Sequence, residues 1–279
     1  MSLVESLNRV SSPQNPWSEP GLLPVEQPPA PLTAIPSENP EWSGWDVLQI
    51  AVLTIVSVAV ILSLVGVATQ RLLYPKVPIL EVMVYPLVTV LGQVLAYLLI
   101  LAFMVSIVKR APSRDFWQAI RWNWPKNWST YLLTGVALSL ALQGVAHYLP
   151  IPKQLPMDQF FRTPSEAWAL SLFGLTLAPL LEELFFRGFL YPVFARRLGV
   201  AIAVLTTAAG FSFIHAPQLG RAWGPVLVIF MVGLALTITR ALTKSVAAGL
   251  IMHVAYNGTL SILLFVGTGG FRHLERLNQ

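Results

Sequence analysis

The feature that most constrains this chain is its succession of long apolar runs with no charge inside them. Val47–Gln70 and Val82–Val108 contain no Asp, Glu, Lys, Arg or His. Each is longer than the ~20 residues that a helix needs to cross a hydrocarbon core. Tyr131–Leu149 is shorter but sufficient. Ala167–Phe194 follows, apolar except for Glu182, Glu183 and Arg187. Val200–Ala216 carries only His215, Pro225–Thr239 carries no charge, and Ser245–Val266 carries only His253. The pattern predicts an all-α polytopic membrane protein with about seven transmembrane helices, the fifth and sixth rather short.

Composition closes the alternatives. Hydrophobic residues make up 55% of the chain and charged residues 11%, against roughly 25% charged in a soluble domain. A soluble fold cannot cover that much apolar surface with so few charges, and a disordered chain would not be this apolar. The net charge of +5 does not indicate nucleic acid, because the basic residues sit at the ends of apolar runs rather than in a stripe. There is no cysteine, hence no disulfide and no thiolate chemistry. The first long apolar run begins after Asp46, so insertion is expected to use that span itself.

Four regions follow. Residues 1–44 hold nine of the 22 prolines and a single basic residue, Arg9, and read as a Pro-rich flexible tail. Residues 45–164 carry the first membrane helices. They also carry an interfacial segment, in which Phe116, Trp117, Trp122, Trp124 and Trp128 alternate with basic residues. Residues 165–270 form a membrane region rich in polar groups, and 271–279 a C-terminal tail. Lys109, Arg110, Arg114, Arg121, Lys126, Arg196, Arg197, Arg240 and Lys244 are placed on one side of the membrane, which favours an N-inside orientation.

Ionisable groups inside hydrocarbon cost several kcal/mol each unless they are paired or face a wet cavity. Here they occur in three helices of the C-terminal half. At 1.5 Å per residue, Glu182 lies about 21 Å along its helix from Arg196, His215 roughly 22 Å from Val200, and Asn257 ~20 Å from Lys244. His253 lies ~14 Å from Lys244. Similar depths predict one shared polar pocket. Glu183 and Arg187, four apart, share a helix face and can pair. Glu182 is rotated by about 100° and is free to point elsewhere. His253 and Asn257 also share a face, as do Phe211 and His215, with the phenyl ring excluding water from the imidazole.

These residues form three patterns: EExxxR at Glu182–Arg187, FxxxH at Phe211–His215 and HxxxN at His253–Asn257. In this order, each on an expected membrane helix and with Gly188 directly after the arginine, they resemble the CPBP family of intramembrane proteases, also called the Abi or type II CAAX prenyl protease family. The resemblance covers roughly 167–266. It implies a glutamate-dependent endopeptidase acting on a membrane-associated protein or peptide substrate in the lipid bilayer. By position, Glu182 and His215 would activate a water, His253 and Asn257 would stabilise the oxyanion, and Arg187 with Glu183 would hold the site together. A carboxylate and an imidazole in low dielectric suit general-base work, and donors aimed in advance act most strongly where water is scarce. The expected location is a bacterial-type inner or plasma membrane.

Other readings stay open. Two His and a Glu can hold a divalent metal such as Zn²⁺ with a free fourth position, although no HExxH pattern is present and no cofactor is required. A non-catalytic scaffold or immunity protein is allowed by the same resemblance. A proton-coupled transporter would use similar residues; the absence of paired halves counts against it.

Overall fold

The computed structural model describes residues 38–110 and 115–275. The expected flexible tail lies outside the described residues except for 38–44, as does 276–279 of the C-terminal tail. The described part is helical, with no strand among the described residues.

Helix α1 (Gly44–Leu73) starts at a capping box. The Asp46 carboxylate accepts from the Ser43 N–H at 2.8 Å, and the Ser43 hydroxyl accepts from the Asp46 N–H. This satisfies amides that the first turn leaves without partners. The short α2 (Ile79–Met83) returns the chain to α3 (Pro86–Val108). Arg110, just past α3, pairs with Asp46 and ties the end of α3 to the start of α1.

The connection after α3 also contributes to the core of the bundle. Its short helix α4 (Phe116–Ala119) and the next residue bury Phe116 and Ile120, which are 5% and 0% exposed, against Trp42, Ile107, Leu184 and Phe189. Trp117, Trp124 and Trp128 remain exposed, as interface anchors are. The segment therefore combines surface aromatics with a plug inserted under the fourth membrane helix. α5 (Trp128–Ala146) follows.

The fourth span, Pro164–Leu198, is interrupted twice. α6 (Pro164–Leu175) ends at Thr176, whose φ of −120° and ψ of −85° leave the helical region. α7 (Leu177–Glu183) then begins with Pro179 in its first turn, where a missing N–H is tolerated and where the ring would clash with a continuous preceding helix. A π-helical stretch, Leu184–Leu190, leads into α8 (Tyr191–Leu198). α9 (Val200–His215), α10 (Trp223–Thr243) and α11 (Val246–Gly267) complete the fold. Among the described residues, six helices are long and apolar enough to cross a membrane, and α9, at 16 residues, is shorter. Of the seven expected spans, α9 is the one that falls short by length.

Two devices fix α11, which carries His253. Its face packs so tightly on α5 that a Cβ at Gly135 would lie 2.3 Å from the Met252 carbonyl oxygen. At its start, the Arg121 carbonyl accepts from the Val246 N–H at 3.1 Å. Nearby, Asn123 donates to the Lys244 carbonyl at 3.0 Å, and the Ser245 hydroxyl donates to the Asn123 carbonyl.

Candidate active site

The three sequence patterns meet. Glu182, at the end of α7, sits between two imidazoles: its carboxylate oxygens are 3.8 Å from His215 Nε2 on α9 and 3.7 Å from His253 Nε2 on α11. Glu182 and His215 are each 18% exposed at the side chain, whereas Glu183, Arg187 and His253 are buried. Glu182 and His215 are thus the carboxylate and imidazole of the cluster that remain partly exposed.

Hydrogen bonds orient both imidazoles. His215 Nδ1 lies 2.7 Å from the Phe211 carbonyl oxygen. A carbonyl only accepts, so Nδ1 carries a proton and Nε2 is the ring nitrogen that faces Glu182. His253 Nδ1 donates in the same way to Glu183 Oε1 at 3.0 Å. Both histidines therefore present Nε2 to the Glu182 carboxylate.

Glu183 is held in turn by Arg187, whose Nη1 donates to Oε1 at 2.9 Å with both side chains 0% exposed. The rest of the guanidinium is also committed. Nη2 donates to the Gly233 carbonyl at 3.1 Å and Nε to the Thr237 hydroxyl at 3.3 Å. The Phe211 ring lies 4.6 Å from the guanidinium carbon and 4.7 Å from the His215 ring. This one phenyl covers the cation and backs the imidazole, a geometry in which a desolvated guanidinium gains cation–π energy. The expected ion pair between Glu183 and Arg187 and the separate course of Glu182 are both present.

Asn257 belongs to the same helix face, but its Nδ2 donates to the Gly174 carbonyl at 2.8 Å. Gly174 lies in the last turn of α6, where carbonyls have no intrahelical partner. Asn257 thus bridges α11 to the break in the fourth span, and the second hydrogen of the same amide remains for another acceptor.

Several contributors were not singled out from the sequence. Gly233 and Thr237 share a face of α10, and together they receive Arg187. Gly249, one turn before His253, gives Glu183 its room: a Cβ there would lie 2.7 Å from Glu183 Oε2. Because that carboxylate is locked by Arg187 and His253, it cannot swing aside. Gly249→Ala is therefore expected to displace Glu183 and to destabilise the fold by about 1–3 kcal/mol, as overpacking does. Thermal melting in detergent, with an unchanged melting point as the contrary result, checks this. Spacing alone offered one clue to Arg240, which falls three residues after Thr237 on the same face; it is 1% exposed, although its place at a helix end suggested a solvated charge.

Among the described residues, no group of three or more His, Asp or Glu side chains converges in a geometry suited to holding a metal ion. Glu182 approaches both Nε2 atoms, but at 3.7–3.8 Å rather than around a common centre.

Fold and site together define a class of protein: a polytopic helical membrane protein with a carboxylate–imidazole cluster enclosed by its helices. Within that class, residues 164–259 match the family model described as type II CAAX prenyl endopeptidase Rce1-like. The matched stretch contains all six of Glu182, Glu183, Arg187, His215, His253 and Asn257, so the resemblance read from the three patterns is borne out there. No curated protein and no solved structure matches the chain.

Proposed function

We propose that this protein is a membrane-embedded endopeptidase that hydrolyses a peptide bond with a water activated by Glu182 and His215. The observation that carries the reading is the position of the Glu182 carboxylate, accessible and aimed at two imidazoles that are each fixed through Nδ1. A water seated about 2.8 Å from Glu182 and from His215 Nε2 would lose its proton to the pair as it attacks the scissile carbonyl. The new C–O bond forms and the carbonyl π electrons move to oxygen. The oxyanion pair then re-forms the C=O bond as the C–N bond breaks, and the proton taken from water passes to the leaving amine.

His253 lies between the two carboxylates. Carrying a second proton on Nε2, it can donate to the oxyanion while Glu183 accepts from Nδ1. The free N–H of Asn257 is the second donor available on that side. Arg187 holds Glu183 in place through the 2.9 Å ion pair and need not touch substrate. In this scheme Glu182, His215, His253 and Asn257 are catalytic, whereas Glu183 and Arg187 are positioning residues.

The substrate class follows from the setting. A site enclosed by membrane helices favours a protein or peptide already bound to the bilayer, in a bacterial-type inner or plasma membrane. The family description supports prenylated C-terminal peptides as the first candidates. The test is cleavage by purified protein in liposomes, with prenylated CaaX peptides beside unmodified membrane peptides. The expected result is a defined product that His215→Ala lowers by about 10²-fold or more and that persists after exhaustive chelation. Loss of activity on chelation with recovery on adding Zn²⁺ would replace the water–carboxylate mechanism by a metal one. A folded wild type that cleaves no peptide would favour the scaffold reading.

A further inference from the structure

The most unusual burial outside the cluster is an ionic network at the end of the bundle where α1 begins. Glu38 lies in the Pro-rich approach to α1, where a carboxylate would ordinarily be solvated, yet it is only 4% exposed. Its carboxylate accepts from Arg240 at 2.8 Å and 3.4 Å and meets Arg121 Nε at 3.2 Å. Arg240 comes from α10 and is itself buried, with its guanidinium carbon 5.3 Å from the Tyr191 ring centre.

The remaining donor of Arg240 identifies what the network serves. Arg240 Nε donates to the Arg187 main-chain carbonyl at 3.1 Å. That carbonyl has lost its helical partner for a definable reason. In the π-helical stretch the Tyr191 N–H bonds to the Phe186 carbonyl, five residues back, instead of to Arg187. Residue 192, next in line to reach Arg187, is proline and has no N–H. A buried carbonyl without a donor is costly, and Arg240 supplies the donor. A second tie lies two residues on: the Trp42 indole N–H donates to the Phe189 carbonyl at 2.9 Å, with the two rings 4.6 Å apart. Arg196 fastens the same segment through the Pro40 carbonyl at 2.7 Å.

We infer that the segment Glu38–Trp42 is a positioning element of the peptidase site. Glu38 fixes Arg240, Arg240 holds the Arg187 carbonyl, and this fixes the π-helical register from which the Arg187 side chain aims Glu183 at His253. The chain of contacts is continuous from Glu38 to the imidazole. Glu38, Trp42 and Arg240 touch no reacting atom and act through Arg187 and Phe189. The inference rests on the protease reading for its kinetic consequence, but its structural consequence stands separately.

The test uses the full chain in lipid nanodiscs with Glu38→Gln, Arg240→Lys and Trp42→Phe. Arg240→Lys keeps the charge but loses the fork that serves carboxylate and carbonyl together. Trp42→Phe keeps the ring against Phe189 and removes only the N–H. With a peptide that the wild type cleaves, Glu38→Gln and Arg240→Lys are expected to lower kcat by about 10-fold or more while KM stays within about twofold. Imidazole ¹⁵N spectra of the four histidines are expected to show His253 shifted. Trp42→Phe is expected to move the same two readouts in the same direction, to a smaller extent, and it carries the test if the charged variants do not fold. Folded variants with wild-type kcat and an unmoved His253 resonance would overturn the inference. So would a lowered melting point with kcat per folded molecule unchanged, because that is a structural tie only. If the wild type itself cleaves nothing, the protease reading fails, and the His253 resonance alone decides this one.

Discussion

Glu182→Gln is expected to reduce peptide cleavage by about 10³-fold or more, an increase of ~4 kcal/mol in the barrier, with KM little changed and the melting point maintained. The substitution keeps shape and one acceptor but removes the basic oxygen pair that lies 3.8 Å and 3.7 Å from the two imidazoles. A general base of this kind contributes roughly 10²–10⁴-fold. The upper part of the range applies because His215, left alone, has lost the carboxylate with which it would take the proton of water. Stability should not fall, since Glu182 is the less buried of the adjacent pair and its neutral form removes a charge from a low-dielectric setting. Single-turnover cleavage, together with a melting curve, separates the two quantities. Residual activity above about a tenth of wild type would mean that Glu182 is not the base, and His215 or a bound metal would take its place.

The site was more legible in the sequence than the scaffold that aims it, for a physical reason. A Glu or His within a run of apolar residues is expensive in a membrane, so Glu182, His215 and His253 stand out against their surroundings, and similar depths imply one pocket. The i,i+4 spacing likewise foretold the Glu183–Arg187 pair. What could not be read is everything that departs from a uniform 3.6-residue helix. The π-helical stretch changes register over Leu184–Leu190, and no hydrophobic period records that change. Arg240 looked like one of several basic residues at a membrane face, yet α10 continues to Thr243 and places it inside the fold. In the sequence Glu38 and Trp42 belong to a proline-rich stretch, and their partners lie far away in the chain. Phe116 and Ile120 were similarly masked by the tryptophans around them. The break at Thr176 did have a local signal in Pro179. The role of Asn257 in closing that break did not, because it depends on which carbonyl α6 leaves open.

Arg187→Met is expected to have the largest effect on stability of any single change in the site. Arg187 donates to Glu183, to the Gly233 carbonyl and to Thr237, and both ends of the ion pair are 0% exposed. Removing one member of such a pair leaves a buried charge without its counterion, which typically costs 3–5 kcal/mol. Glu183 would keep only its hydrogen bond from His253 Nδ1. Glu183→Gln is the informative partner, because it removes the charge while keeping an acceptor for His253 Nδ1. The double variant Glu183→Gln with Arg187→Met contains no unpaired charge, so it is expected to be more stable than Arg187→Met alone, with the two losses departing from additivity by about 1–3 kcal/mol of coupling. Equilibrium unfolding of the four species in detergent gives that coupling directly. Additive losses would mean that the two side chains are stabilised independently of one another. Activity should not recover with stability. In the double variant no carboxylate accepts from His253 Nδ1, so the support for donation to the oxyanion is lost even though part of the stability returns. A doubly substituted protein that is more stable than Arg187→Met but cleaves no faster is the result that separates what the ion pair does for the fold from what it does for the imidazole.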